Sequence, residues 1–196
     1  NKLIEYIDSN HQDEKPFFAY LAYTAPHWPL QAPIKSIEKH MGNYDDGYEV
    51  LYENRMTKLK SLNLLEHEIV NSQPLLEDKP WNSLNDEEKK RSSKLMEIYA
   101  AMVSDLDQYI GNLVSYLKDI GEYENTFIFF MSDNGAEGHP LDQSFSEYGI
   151  ANKLDTCCDH SYENMGAADS YLWYGPEWAR AGVGPWRRFK GFTSEG

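Results

Sequence analysis

The chain has 196 residues, with 18 Lys and Arg against 32 Asp and Glu, giving a formal net charge of −14. Its 41% hydrophobic and 14% aromatic content is enough apolar mass for a core, which excludes wholesale disorder. The length fits one domain or a large piece of one. The acidity excludes a duplex nucleic-acid binder, whose affinity rests on Lys and Arg against phosphates. No apolar run reaches the ~18 residues of a membrane helix.

Asn1 to Asn10 carries Leu3, Ile4 and Ile7 at helical spacing and reads as the end of a short helix. The chain opens in this amphipathic pattern without Met or a signal-peptide layout, and stops at Thr193-Ser194-Glu195-Gly196 without a polar tail. Both ends read as cut from a longer protein, so localisation is unknown from this sequence. Pro16 precedes Phe17-Phe18-Ala19-Tyr20-Leu21-Ala22-Tyr23, an apolar run expected to be a strand buried on both faces. It empties into Thr24-Ala25-Pro26-His27-Trp28-Pro29, where two prolines stop regular structure.

Tyr44 to Leu65 has helical spacing through Tyr48, Leu51, Tyr52, Arg55, Met56 and Leu59. Asn71 to Leu84, with Pro74 and Pro80, reads as an irregular surface connection. A long amphipathic helix follows. Asn85 is its N-cap, Glu88 completes a capping box, and the acidic first turn suits the positive end of the helix dipole. Leu95, Tyr99, Met102, Leu106, Ile110, Leu113 and Leu117 form its stripe, and Gly121 supplies the stop. Thr126-Phe127-Ile128-Phe129-Phe130-Met131 is then a second buried strand ending in Ser132-Asp133-Asn134-Gly135. Strand, helix and strand predict a right-handed crossover in a parallel α/β sheet. From Ala136 onward little periodicity remains.

Ligands of open α/β sheets bind beyond the carboxyl ends of the strands, and both runs empty into polar segments there. One holds His27, whose imidazole can exchange a proton near neutral pH, although a loop histidine is more often simply solvated or packed. The other holds Asp133 and Asn134, adjacent oxygen donors suited to a hard cation. The same Asp-Asn-Gly run also suits a plain turn, and two donors fall short of the ~6–8 oxygens that calcium takes. Between Glu177 and Glu195 lie Arg180, Arg187, Arg188 and Lys190 with no carboxylate. This is either an anion-attracting patch or a basic surface paired with the acidic excess of the chain. The adjacent Cys157 and Cys158 fit neither a disulfide framework nor a zinc site and are expected to be free thiols in a loop.

Four segments, in order, carry a resemblance across nearly the whole chain: Pro16 through Pro33 with Ala25-Pro26-His27; Tyr99-Ala100-Ala101-Met102-Val103 ahead of Asp105 and Asp107; Met131-Ser132-Asp133-Asn134-Gly135-Ala136-Glu137-Gly138; and Phe189-Lys190-Gly191-Phe192-Thr193-Ser194-Glu195-Gly196. Together they resemble the arylsulfatase branch of the sulfatases, within the alkaline-phosphatase-like superfamily. The resemblance implies an alkaline-phosphatase-like α/β fold with a mainly parallel central sheet flanked by helices, incomplete in this chain. Residues 1–196 would then be the middle portion of a catalytic domain.

The implied activity is hydrolysis of small-molecule sulfate esters with Ca2+, Mg2+ being the second choice. Asp133 and Asn134 are implied as metal ligands, and His27 and Lys190 as groups on the sulfate and the leaving oxygen. A formylglycine nucleophile is also implied, but its Cys/Ser-x-Pro/Ala-Ser-Arg precursor motif does not occur here, and neither Cys157 nor Cys158 fits it. The 196 residues alone are therefore expected to be inactive. A phosphomonoester or phosphonate hydrolase of the same superfamily, or a non-catalytic binding protein, stays open. A periplasmic or secreted location rests on the resemblance alone, and the oligomeric state is not legible.

Overall fold

A computed structural model describes residues 2–10, 15–65, 79–138 and 156–193. Its α-helices are α1 (Lys2–Asn10), α2 (Ile34–Ile37), α3 (Tyr48–Ser61), α4 (Asp86–Asp119) and α5 (Pro176–Val183). The organising element is α4, whose 34 residues extend about 50 Å at 1.5 Å per residue. It begins as its sequence demands. Asn85 Oδ1 accepts from Glu88 N at 2.9 Å, while Glu88 Oε2 accepts from Asn85 N at 2.8 Å, so two otherwise orphaned donors are satisfied.

The N-terminal half of α4 buries Ile98, Ala101 and Met102 in one core with Leu30, Met56 and Trp178. Side chains tie its flanks to what it carries. Ser36 Oγ donates to Asp105 Oδ1 at 2.8 Å, and Gly42 N donates to Glu97 Oε1 at 2.7 Å. Asp105, whose place in a family segment gave it prominence, is therefore engaged in holding α2 against α4.

The spacing from Tyr44 to Leu65 yields the shorter α3, which starts after Gly47 (φ 90°). A Cβ at Gly47 would stand 2.4 Å from the Trp81 ring, so glycine serves both the left-handed backbone and the close approach of the indole. Trp81 is buried and meets Tyr48 and Trp178 edge-to-face at 5.3 and 5.8 Å. The end of the expected surface connection is thus core, because this aromatic cluster outweighs the irregular backbone around Pro80. Residues 71–78 of that connection lie outside the described residues. Helix α5 was not expected from the sequence. It starts at Gly175-Pro176 and buries Trp178, Ala179 and Ala181 within only eight residues, too short a stretch for its spacing to stand out.

The two expected strands require correction. Among the described residues neither 17–23 nor 126–131 joins a β-ladder, and no strand is present. Phe18 is 94% exposed and Phe127 90%, where burial on both faces was expected. A strand needs a neighbour to receive its backbone hydrogen bonds, and the described residues supply none. The parallel sheet and its crossover are therefore not confirmed among the described residues. Both segments line a hollow of about 2580 Å³, as do Leu106, Ile110 and Leu113 from the second half of α4. No helix among the described residues is long and apolar enough to cross a membrane.

Candidate active site

The loop carrying His27 is secured just beyond the histidine. Leu30 N donates to Leu172 O at 2.8 Å, Ala32 N to Gly166 O at 3.1 Å, and Gln31 Nε2 to Ser170 O at 2.8 Å. The segment after Met131 is tied to the C-terminal region in turn, with Lys190 N donating to Ala136 O at 2.9 Å. Gly138 makes this join possible. A Cβ there would stand 2.5 Å from the Phe189 ring, so only glycine admits the ring that precedes Lys190.

These attachments bring His27 and Lys190 together, with Lys190 Nζ 3.2 Å from His27 Nε2. The other ring nitrogen, Nδ1, lies 2.8 Å from Trp28 O. A carbonyl only accepts, so Nδ1 carries the proton and Nε2 offers its lone pair to the lysine. Lys190 Nζ also pairs with Glu137 Oε2 at 3.3 Å. Behind Glu137 stands Tyr174, whose phenol is pushed above the ordinary tyrosine range by burial first, then by the neighbouring Tyr99 phenol and the Glu137 carboxylate. Tyr99 lies on α4, and its ring meets that of Tyr174 at 4.7 Å. A continuous line of contacts thus runs from the long helix to Lys190.

Asp133 and Asn134 line the same hollow as His27, Glu137 and Lys190. Both are exposed. Ser132 Oγ donates to Asn134 O at 2.7 Å, and Asn134 Nδ2 donates to Gly135 O at 3.1 Å, which leaves the side-chain amide oxygen as an acceptor. A carboxylate and an amide oxygen side by side are the donor types a hard cation takes. No group of three His, Cys, Asp or Glu able to hold a metal occurs among the described residues. The pair therefore fits part of a calcium shell without completing one.

The basic run is split by the fold. Arg180 is buried within α5, where burial lowers its guanidinium below the ordinary range while Tyr52, Glu49 and Tyr48 act in the opposite sense. Arg188 lies over the Phe192 ring at 4.6 Å. Lys190 alone of the four is placed against His27 among the described contacts. Cys157 and Cys158 are bonded to each other, with Cα atoms 3.7 Å apart. The expectation of free thiols is corrected: adjacency across one peptide did not prevent the sulfurs from meeting. Glu137 is the site residue the sequence reading missed. It stands inside a segment already singled out, between Asn134 and Gly138, and only the position of Lys190 reveals its use.

His27 and Lys190 thus meet at a hollow that Asp133 and Asn134 also line. The chain belongs to the sulfatase family, whose model, described as Sulfatase, matches residues 1–166. It is 45% identical over 198 residues to an uncharacterized sulfatase of Schizosaccharomyces pombe, covering 100% of this chain and 35% of that protein. It is 40% identical over 182 residues to an arylsulfatase of Klebsiella aerogenes, covering 92% of this chain and 38% of that one. Arylsulfatase J of Mus musculus is 30% identical over 134 residues, covering 68% and 14% respectively. The chain thus spans just over a third of the length of the first two relatives. Family membership carries an alkaline-phosphatase-like α/β fold, of which the described residues display helices and the loops between them.

Proposed function

We propose that the full-length protein bearing this chain hydrolyses sulfate monoesters, with His27 and Lys190 acting on the sulfate and the leaving oxygen. The observation that carries the reading is the 3.2 Å approach of Lys190 Nζ to His27 Nε2 at a hollow that Asp133 and Asn134 also line. Family membership and the likeness to an arylsulfatase support the same chemistry.

Asp133 and Asn134 are proposed as two ligands of a calcium ion. When bound, such an ion offsets the negative charge of the sulfate oxygens. Lys190 does the same with its ammonium group, held in place by Glu137 and by its own backbone bond to Ala136. His27 Nε2 lies beside that ammonium, so the pair can pass a proton to the departing oxygen as the sulfur–oxygen bond breaks. The nucleophile is assigned to no residue here. Cys157 and Cys158 are joined to each other, and neither stands in a formylglycine precursor motif.

The test compares p-nitrophenyl sulfate with p-nitrophenyl phosphate as substrates of the full-length protein. Faster turnover of the sulfate is expected. Preference for phosphate would refute the assignment and favour a phosphomonoester hydrolase.

A further inference from the structure

We propose that Tyr174 is a positioning residue for Lys190: its hydroxyl fixes the peptide group between Ala136 and Glu137, and that group holds both the backbone and the ammonium of the lysine. Tyr99 braces the hydroxyl from α4. This rests on the hydrolase reading above and adds the residues that aim its lysine.

One peptide group gathers the contacts. Its carbonyl, Ala136 O, accepts from Lys190 N at 2.9 Å. Its amide, Glu137 N, is hydrogen-bonded to the Tyr174 hydroxyl. That bond favours the ionised phenol, the sense expected where an N–H donates to the phenol oxygen. The Glu137 side chain leaves the next Cα and pairs with Lys190 Nζ at 3.3 Å. In a planar trans peptide the N–H and C=O point to opposite sides, so Tyr174 grips one edge and the Lys190 backbone the other. Turning this plane at either edge moves both. Lys190 is therefore tied twice to the same short stretch, once through its main chain and once through its charge.

Tyr174 is a firm place from which to hold that plane. It is buried in the main core, in the cluster that contains Ile98, Ala101 and Met102 of α4. Its ring meets Tyr99 edge-on at 4.7 Å, and the two hydroxyls are hydrogen-bonded to each other. This bond raises Tyr174 and lowers Tyr99, as it does where Tyr174 donates and Tyr99 accepts. The Tyr174 oxygen thus accepts from the Glu137 amide and passes its own proton toward α4, so both of its hydrogen-bonding roles are used. The lysine needs such support. Its long, flexible stem has much rotamer freedom to lose, yet its Nζ stands 3.2 Å from His27 Nε2. The bonds through residues 136 and 137 carry the order of the core out to that ammonium.

The experiment is a double-mutant cycle in the full-length protein, read by p-nitrophenyl sulfate turnover and by calorimetric titration with inorganic sulfate. Tyr174→Phe removes the hydroxyl and keeps the ring. It is expected to lower kcat/KM and the affinity for sulfate each by roughly three- to tenfold, the size of one hydrogen bond. In a Lys190→Ala background the same change should alter either quantity by less than about twofold, since a residue that acts through Lys190 then has nothing left to aim. A merely structural hydroxyl would cost the same factor in both backgrounds. That additive result would overturn the proposal, as would unaltered constants in Tyr174→Phe alone. Tyr99→Phe leaves the acceptor of Glu137 N in place and takes only its brace, so a smaller loss of about threefold is expected. If Tyr174→Phe does not fold, the cycle of Tyr99→Phe with Lys190→Ala decides by the same criterion. Absence of p-nitrophenyl sulfate turnover by the unsubstituted protein is a different failure. It removes the hydrolase reading, while the sulfate titration still shows whether Tyr174 acts through Lys190; no sulfate binding by that protein would remove both.

Discussion

Lys190 Nζ lies 3.2 Å from His27 Nε2 although 163 residues separate them in sequence. Glu137 is the third member of the arrangement, pairing with Lys190 at 3.3 Å. In the full-length protein, Lys190→Ala or His27→Ala is expected to lower kcat/KM for p-nitrophenyl sulfate by about 10²–10⁴. Glu137→Gln keeps an oxygen beside the lysine but loses its charge, and a fall of roughly tenfold is expected, the size of one charge-assisted hydrogen bond. Unchanged kinetics in Lys190→Ala would remove the lysine from the reaction.

The proposed calcium role of Asp133 has a direct readout. Calorimetric titration of the full-length protein with calcium should show binding that Asp133→Ala weakens severely, since a carboxylate contributes both charge and oxygen donors. The isolated 196 residues are expected to bind calcium only weakly and to turn over no substrate. Tight binding that survives Asp133→Ala would place the cation elsewhere.

Two glycines separate stability from activity. Alanine at Gly138 would meet the Phe189 ring at 2.5 Å, and at Gly47 it would meet Trp81 at 2.4 Å with a left-handed backbone besides. Each substitution is expected to cost about 1–3 kcal/mol in urea unfolding. Gly138→Ala should additionally lower activity in the folded enzyme, because Phe189 precedes Lys190. Gly47→Ala should spare it, and equal losses of activity in both would break the link between Gly138 and the site.

Glu97 supplies a pH signature. It is 7% exposed, and burial raises its carboxyl above the ordinary range. The bond from Gly42 N pulls the other way, and Asp45 adds to the rise. The folded state therefore holds this proton more tightly than the unfolded chain. The stability it gives is complete below the ordinary carboxylate pKa and is lost as pH climbs through the raised value. Glu97→Gln retains an acceptor for Gly42 and removes the charge. Its Tm should exceed that of the unsubstituted protein near pH 7 by no more than about 4 °C, with the gap closing toward pH 4. A gap that widens on acidification would contradict this sign.

Local signals were the most legible in the sequence. The Asn85 cap, the Glu88 reciprocal bond and the stripe of α4 depend on residues a few positions apart, and spacing alone reports them. The runs at Phe17 and Phe127 read as buried strands because apolar, aromatic composition says what a segment is fit for, whereas burial requires a neighbour that composition cannot provide. Asp133, Asn134, His27 and Lys190 were singled out by motif, yet the meeting of His27 with Lys190 depends on backbone ties at Leu172, Gly166 and Ala136 that leave no periodic trace. Glu137 was invisible for the same reason. Arg180 misled because four basic residues in one stretch look alike until a helix turns one of them inward.

The exposed run from Thr126 to Met131 has one more consequence. Six consecutive residues with high strand propensity, no charge and no proline have the composition of an aggregation-prone segment, and Phe127 is 90% exposed. Asp133 is the first charged residue after it. A carboxylate placed there is the kind of flanking charge that discourages copies of such a run from stacking. A residue proposed to hold a metal in the mature enzyme would thus first protect the nascent chain from self-association.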